Sequence, residues 1–253
     1  MGARAFTRWQ ASGLHLLISA SIAAVSLTLI LGLWFPGPLF EAAGGLGLLY
    51  LLVGVDVVLG PLLTLIVFKS GKPGMKFDLA VIGTLQLAAL AYGLSVVALA
   101  RPAFVVFVLD RFELVSVVEL APEELQAARY EEFRSVPWTG PRLAAADLPE
   151  DPVERQRLIR LAASGIDVQN FPRYYVPYAD RAKQVLARAV TPARLRETDP
   201  VTAKAVDDWL AASGTKPDDV RALLLRTRFA WVAVLLDPKT AQPVKYLLGE
   251  RIE

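Results

Sequence analysis

The chain predicts a membrane α-helical bundle of three transmembrane helices, followed by an extracytoplasmic α+β domain with a small antiparallel sheet. Three observations predict it. Apolar runs of bilayer-spanning length fill the N-terminal part, residues 1–101. Segments rich in aromatic and β-branched residues open and close the remainder, residues 102–253. Between those segments lie helix starts marked by proline and acidic side chains.

Composition agrees with this division. Of 253 residues, 54% are hydrophobic and only 21% charged, an apolar excess that ordinary soluble domains do not carry. Lys+Arg 27 against Asp+Glu 25 leaves no strongly basic face, so nucleic acid is not an expected partner. There is no cysteine, which excludes disulfides, thiol catalysis and thiolate metal sites. The single histidine, His15, stands at the mouth of the first apolar run and supplies no catalytic triad in the later part.

The first run covers about 14–35, the second about 46–68 and the third about 79–100, each roughly 22 residues and enough to cross about 30 Å of hydrocarbon. Arg4 and Arg8 precede the first run as they would a signal peptide, but the run is long and two more follow, so it reads as an uncleaved anchor. Pro36, Gly37 and Pro38 end the first helix. Ser70, Gly71, Lys72, Pro73 and Gly74 make the turn before the third.

Arg4 and Arg8 before the first run, and Lys69, Lys72 and Lys76 between the second and third, place those segments in the cytoplasm. The loop between the first two runs carries only Glu41 and is expected on the far side. Everything after Arg101 then lies outside the cytoplasm, in the periplasm of a Gram-negative host. Arg101 and Arg111 run against this bias, but large domains translocate largely regardless of charge.

The second run contains an acid, Asp56, and a Gly60–Pro61 break. About sixteen Leu, Val, Ile and Phe residues contribute roughly −5 to −10 kcal/mol to insertion, against about +2.5 to +3.5 for the acid, so insertion wins. Pro61 removes the backbone bond to Val57 and predicts a kink. Asp56, Gly60 and Thr64 are spaced i, i+4, i+8 and share one helix face. Similar small or polar stripes run along His15, Ser19, Ala23 and Ser26, and along Thr84, Ala88, Ala91, Ser95 and Ala98. Two readings stand: the stripes pack the three helices together, or one of them receives a further membrane helix. Gln86, at a depth like that of Asp56, is placed to hydrogen-bond it. An acid left unpaired there would instead dock a partner or carry a proton.

Ala103–Leu109 reads as a strand, and Asp110–Val115 extends it or begins a second. A helix opens at Pro122, with Glu123 and Glu124 in its first turn. Helical periodicity covers Pro149–Ala163 with a stop at Gly165, then Ala179–Ala189, then Pro200 through Trp209 to Gly214. A short helix is expected from Lys216. Arg228–Leu236 reads as a strand, Asp237–Pro243 as a turn, and Val244–Leu248 as the return strand of a C-terminal hairpin.

The acid pairs Glu123–Glu124, Glu131–Glu132, Asp207–Asp208 and Asp218–Asp219 read as caps or solvated faces, because neighbours on a helix point apart. No phosphate loop, nucleophile elbow or metal-ligand spacing is present in the sequence. Phe171–Tyr178, with Arg173, Tyr174 and Tyr175 between prolines and Tyr178 after the second, has the composition of a protein-binding surface or of a loop tucked against the sheet.

Trp34–Gly45, Gly54–Leu65, Lys76–Ala80, Gln86 and Ala91–Gly93 together resemble the TfpX/TfpZ family of type IV pilin accessory proteins. The resemblance continues through Arg101, Pro102 and Asp110–Phe112. It is looser in the later part, resting on Tyr174–Tyr178 and the final hairpin, where Lys239–Gln242 lacks the family's Thr-Gly. It implies a non-enzymatic factor of the bacterial inner membrane with no cofactor. Its partners would be the type IV pilin subunit, the pilus assembly machinery and the lipid bilayer. Asp56, Gly60, Thr64, Gln86, Tyr174, Tyr175 and Tyr178 are then the candidate partner-binding residues. The competing readings are a membrane-anchored sensor with an extracytoplasmic ligand domain, and an intramembrane enzyme or proton-coupled transporter built on Asp56.

Overall fold

The computed structural model describes residues 6–252 and divides the chain into two compact units. One comprises Met1–Gly32 and Gly45–Ala98, the other Leu33–Gly44 and Leu99–Glu253.

The first unit is helical. Its first helix starts at Arg8, where Thr7 and Gln10 form a reciprocal capping box: Thr7 Oγ1 accepts from Gln10 N at 3.2 Å and Gln10 Oε1 from Thr7 N at 3.0 Å. It runs as α-helix to Leu27 and as π-helix over Thr28–Trp34. The middle run is α-helical over Gly45–Val53, π-helical over Gly54–Leu59 and α-helical again over Gly60–Val67. The break expected at Pro61 is thus taken up by a widened stretch just before it, a usual way for a helix to accommodate a ring that lacks an N–H. The third helix spans Met75–Ala100, starting earlier than its apolar run, and the Asp78 carboxylate in its first turn pairs with Lys72 at 2.6 Å. Among the described residues, two helices are long and apolar enough to cross a membrane, Arg8–Trp34 and Met75–Ala100.

The second unit is built on one sheet. Its strands among the described residues are β1 (Pro102–Val108), β2 (Arg111–Ser116), β3 (Arg142–Ala146), β4 (Tyr175–Pro177), β5 (Arg221–Arg226), β6 (Ala230–Leu236) and β7 (Pro243–Arg251), in spatial order β4-β3-β1-β2-β5-β6-β7. The sheet is mixed, with β1 parallel to β3 and β2 parallel to β5, and the other neighbouring pairs antiparallel. This corrects the expected small antiparallel sheet. The hairpins β1–β2 and β6–β7 stand where the sequence puts strands. β3 and β5 are Ala- and Leu-rich, carry no β-branched signal and become strands because they are buried between neighbours.

β1 is buried along its whole length, so the sheet is covered on both faces. On one face Val105, Phe107, Phe112, Leu225, Val232 and Val234 pack with Val185 of the helix Ala182–Arg188. On the other, Phe104, Phe133 and Tyr175 meet edge to face near β4. Toward the other edge of that face, Ala233 and Leu235 meet Leu195, Val206 and Leu210 of the helices Pro192–Thr198 and Pro200–Ser213. The last helix is capped as expected, with Asp199 Oδ1 accepting from Thr202 N at 3.0 Å and Gly214 closing the C-terminus in left-handed conformation. At the short parallel junction of β2 and β5, the buried Glu113 carboxylate accepts from Arg111 Nε at 2.7 Å and Arg226 Nε at 3.0 Å. That contact raises the pKa of the Arg111 guanidinium.

Leu33–Gly44, which the sequence divides between the end of the first span and the loop after it, is folded into this unit. Leu39 and Ala42 are fully buried in the same core as Phe112 and Leu225. The Thr227 hydroxyl lies 2.7 Å from the carbonyls of both Ala42 and Ala230 and accepts from Ala230 N at 3.1 Å. Gly140 N donates to the Leu33 carbonyl at 2.7 Å, and Arg251 pairs with Glu41 at 2.6 Å. Arg101 lies over the rings of Trp34 and Trp138, with its guanidinium carbon 5.8 and 4.8 Å from the centroids. Gly44 takes φ +77, and a Cβ there would come within 2.6 Å of the Phe229 ring, so only glycine fits.

Truncating this anchor is expected to loosen the whole sheet unit. Leu39→Ala should cost about 2–5 kcal/mol, and Thr227→Val, which leaves the Ala42 carbonyl without a donor, about 1–3 kcal/mol. Thermal unfolding of the detergent-solubilised protein, followed by tryptophan fluorescence, should show Tm lowered by about 2–4 °C for each kcal/mol.

Candidate functional site

The polar residues of the helical unit converge on the middle helix. Asp56, Gly60 and Thr64 are all buried, so the face drawn from their spacing exists. Its members have different partners. Thr64 Oγ1 lies 2.5 Å from His15 Nδ1, and Ser12 Oγ donates to the Pro61 carbonyl at 2.9 Å, joining the first helix to the middle one. Gly60 is covered by Gln86 of the third helix, whose carboxamide occupies the space a Cβ would need. Gly60 and Thr64 therefore serve packing within the unit.

Asp56 and Gln86 do come together, but not carboxylate to carboxamide as expected. Gln86 Nε2 donates to the backbone carbonyl of Asp56 at 3.2 Å. In an i→i+5 pattern the donor for that carbonyl would be Pro61, which has no N–H, so the glutamine side chain serves a backbone need. Asp56 Oδ1 and Gln86 Oε1 are both buried and without a hydrogen-bond partner among the described residues. They line a cavity of about 300 Å³ between the first helix (Ile18, Ser19, Ile22) and the third (Leu87, Leu90).

The small-residue stripes behave unequally. Ser19, Ala23 and Ser26 are buried as packing predicts. On the third helix the stripe turns outward: Thr84, Ala88, Ala91 and Ser95 are exposed, while Ile82 and Val97 are buried. Gln86, the one carboxamide of that helix, was the signal that marks its inward face, since Ile82 and Leu90 lie one turn to either side of it.

The tyrosine cluster of the second unit is mostly internal. Tyr175 is fully buried and its hydroxyl donates to the Gln169 carbonyl. Tyr178 is buried and donates to the Ala241 carbonyl at 2.5 Å. Tyr175 on β4 enters one core of the sheet and Tyr178, in the turn just after β4, enters the other, so neither forms a surface. Tyr174 stays half-buried, 3.3 Å from Glu154, and Arg173 forms a two-toothed pair with Glu124. Burial pushes the Tyr175 and Tyr178 phenols well above their ordinary pKa, and that of Tyr246 up to about 12. A cavity of about 570 Å³ near Phe107, Leu109 and Gln184 is bordered by the Arg181–Asp147 ion pair. No cluster of three or more His, Asp or Glu side chains suited to a metal occurs among the described residues.

A family model for fimbrial assembly protein FimB matches residues 3–44. That stretch is the first helix together with the segment folded into the sheet unit. The chain is 35% identical over 176 residues to a fimbrial assembly protein of serogroup I from Dichelobacter nodosus, an alignment covering 69% of this chain and 68% of that relative. The chain belongs to the fimbrial assembly protein family. A serogroup E1 relative from the same organism is 34% identical over 176 residues, covering 69% of this chain and 68% of its own. A relative of serogroups C1 and C2 is 38% identical over 119 residues, which is 46% of this chain and 91% of its own. No solved structure matches.

Two outcomes test this geometry. Gly60→Val should displace Gln86 and lower the amount of protein that accumulates in cells by immunoblot, Gln86→Ala in the same chain should restore much of it, and Gly54→Ala, with open space around it, should be silent. The tyrosines predict alkaline sensitivity. Their folded pKa lies above the unfolded value of about 10, so the stability they contribute is full below pH 10 and is lost as pH rises further. Denaturant midpoints measured from pH 8 to pH 11 should fall above about pH 10, and Tyr178→Phe should flatten that fall while lowering the pH 8 midpoint.

Proposed function

We propose that this chain is an inner-membrane accessory factor of the TfpX/TfpZ kind. It acts without catalysis on the type IV pilin subunit before or during pilus assembly. The observation that carries the reading is the identity, at 35% over 176 residues, with a protein named for fimbrial assembly. The resemblance of Trp34–Gly45 and Gly54–Leu65 to pilin accessory proteins supplies the type IV client.

The membrane topology is argued from parity. Leu33–Gly44 is folded into the unit of Leu99–Glu253, so the two lie on one side of any bilayer. The chain between them crosses an even number of times. Met75–Ala100 is long and apolar enough to cross once, so parity calls for Gly45–Val67 as the other crossing. With the first helix this makes three spans. Arg8 at the start and Lys69, Lys72 and Lys76 at the second turn orient both to the cytoplasm, which puts the sheet unit in the periplasm.

Deleting the gene tests the role. Surface pili counted by electron microscopy should fall severalfold and return on complementation, with pilin transcript unchanged. Unaltered pilus number would overturn the reading. Alkaline phosphatase fused after Glu253 should be active and the same reporter at Gly71 inactive.

A further inference from the structure

We propose that the cleft between the first and third helices receives one apolar membrane helix of a partner, which presents a hydrogen-bond donor to Asp56. The identity of that partner as pilin rests on the function proposed above. The surface and its chemistry rest on the cleft itself.

Asp56 is only 6% exposed, yet its Oδ1 has no hydrogen-bond partner among the described residues, and neither has Gln86 Oε1. Both residues line the same cavity of about 300 Å³. Two acceptors left bare together are costly, and hydrocarbon offers them no water. The nearby donors do not answer them: the Gln86 amide is engaged by the Asp56 carbonyl and the Ser12 hydroxyl by Pro61, and His15, which meets Thr64 through Nδ1, makes no bond to either acceptor. The Ser19 hydroxyl, also on the cleft, reaches neither acceptor.

Apart from His15 and Ser19 the rest of the cleft is apolar, and its lips Ile18 and Leu87 are 51% and 60% exposed, so it opens sideways. A lipid tail fills such a space but brings no donor. An apolar helix with one amine, amide or hydroxyl at that depth fills the space and meets the acceptors. Gly60 and Thr64 are left out of the surface, because Gln86 and His15 cover them. The outward stripe of the third helix has no comparable buried acceptor among the described residues and carries no such requirement.

The test uses the full chain in membranes of the pilus-forming host. p-Benzoylphenylalanine is incorporated at Ile18, at Leu87 or at Leu85, which is exposed on the opposite side of the third helix. Adducts are read with an anti-pilin antibody. Pilin adducts are expected from Ile18 and Leu87 and not from Leu85. Asp56→Leu should lower the Leu87 yield about 3- to 18-fold, the range of interhelical hydrogen bonds in bilayers, and Asp56→Asn, which keeps an acceptor, should retain most of it. Equal yield from Leu85 would overturn the proposal, as would lipid adducts alone at Ile18 and Leu87. An unchanged Leu87 yield in Asp56→Leu at normal protein level would do the same. Should Asp56→Leu fail to accumulate, the Leu87 and Leu85 comparison in the otherwise unaltered chain decides. A pilin adduct seen only from the sheet unit, for instance at Val244, would remove the cleft and leave the pilus-assembly reading intact. Loss of that reading itself would show as normal piliation in the deletion strain.

Discussion

The burial of Leu39 and Ala42 against Phe112 and Leu225, secured by the Thr227 hydroxyl, is the contact on which the rest of the chain depends. A connection between two helices normally lies on the surface because its backbone must stay hydrated. Here the segment is taken into a core, and two of its carbonyls, Leu33 and Ala42, find donors in Gly140 and Thr227. The sheet unit is therefore built from two separate stretches of the chain, Leu33–Gly44 and Leu99–Glu253. On the proposed membrane reading, that decides how many times the intervening chain can cross. The stretch matched by the FimB family model ends at this same segment.

Several buried polar groups in each unit find partners. In the sheet unit, Glu113 takes donors from Arg111 and Arg226, and the phenols of Tyr175 and Tyr178 each reach a carbonyl. Such matching keeps a mixed sheet in register where the parallel junction of β2 and β5 offers few ladder bonds. In the helical unit, Thr64, Ser12 and the Gln86 amide are matched, whereas one oxygen each of Asp56 and Gln86 is not. A native structure keeps few such groups, and those it keeps tend to mark function. Because Asp56 and Gln86 line one cavity, they confine the candidate site to a cleft rather than to a whole helix face.

Much of this was legible from residue order. Asp56, Gly60 and Thr64 share a face because helical periodicity fixes direction. The caps at Asp199 and Gly214, and the hairpin strands β1–β2 and β6–β7, follow from local chemistry. β3, β4 and β5 were hidden, because Arg142–Ala146 and Arg221–Arg226 carry no strand preference of their own and Tyr175–Pro177 is too short to show alternation. The tyrosines read as a surface by composition, and β4 and the turn after it carry Tyr175 and Tyr178 inward. The third helix misled for a related reason: its small residues mark a face able to pack closely, and the helix instead turns Gln86 inward.

The sequence alone determined where the long apolar runs lie, where the helix Pro200–Ser213 starts and stops, and that an acid interrupts the middle run. These follow from composition, periodicity and capping, which act over a few residues. The tertiary structure decided which face of each helix meets another, that Leu33–Gly44 belongs to the sheet unit, that the sheet is mixed, and that Asp56 keeps an unanswered oxygen. Those facts depend on contacts between residues far apart in the chain, such as Thr227 with Ala42 and Gln86 with Asp56, and no local pattern encodes which distant partner will fill a given space.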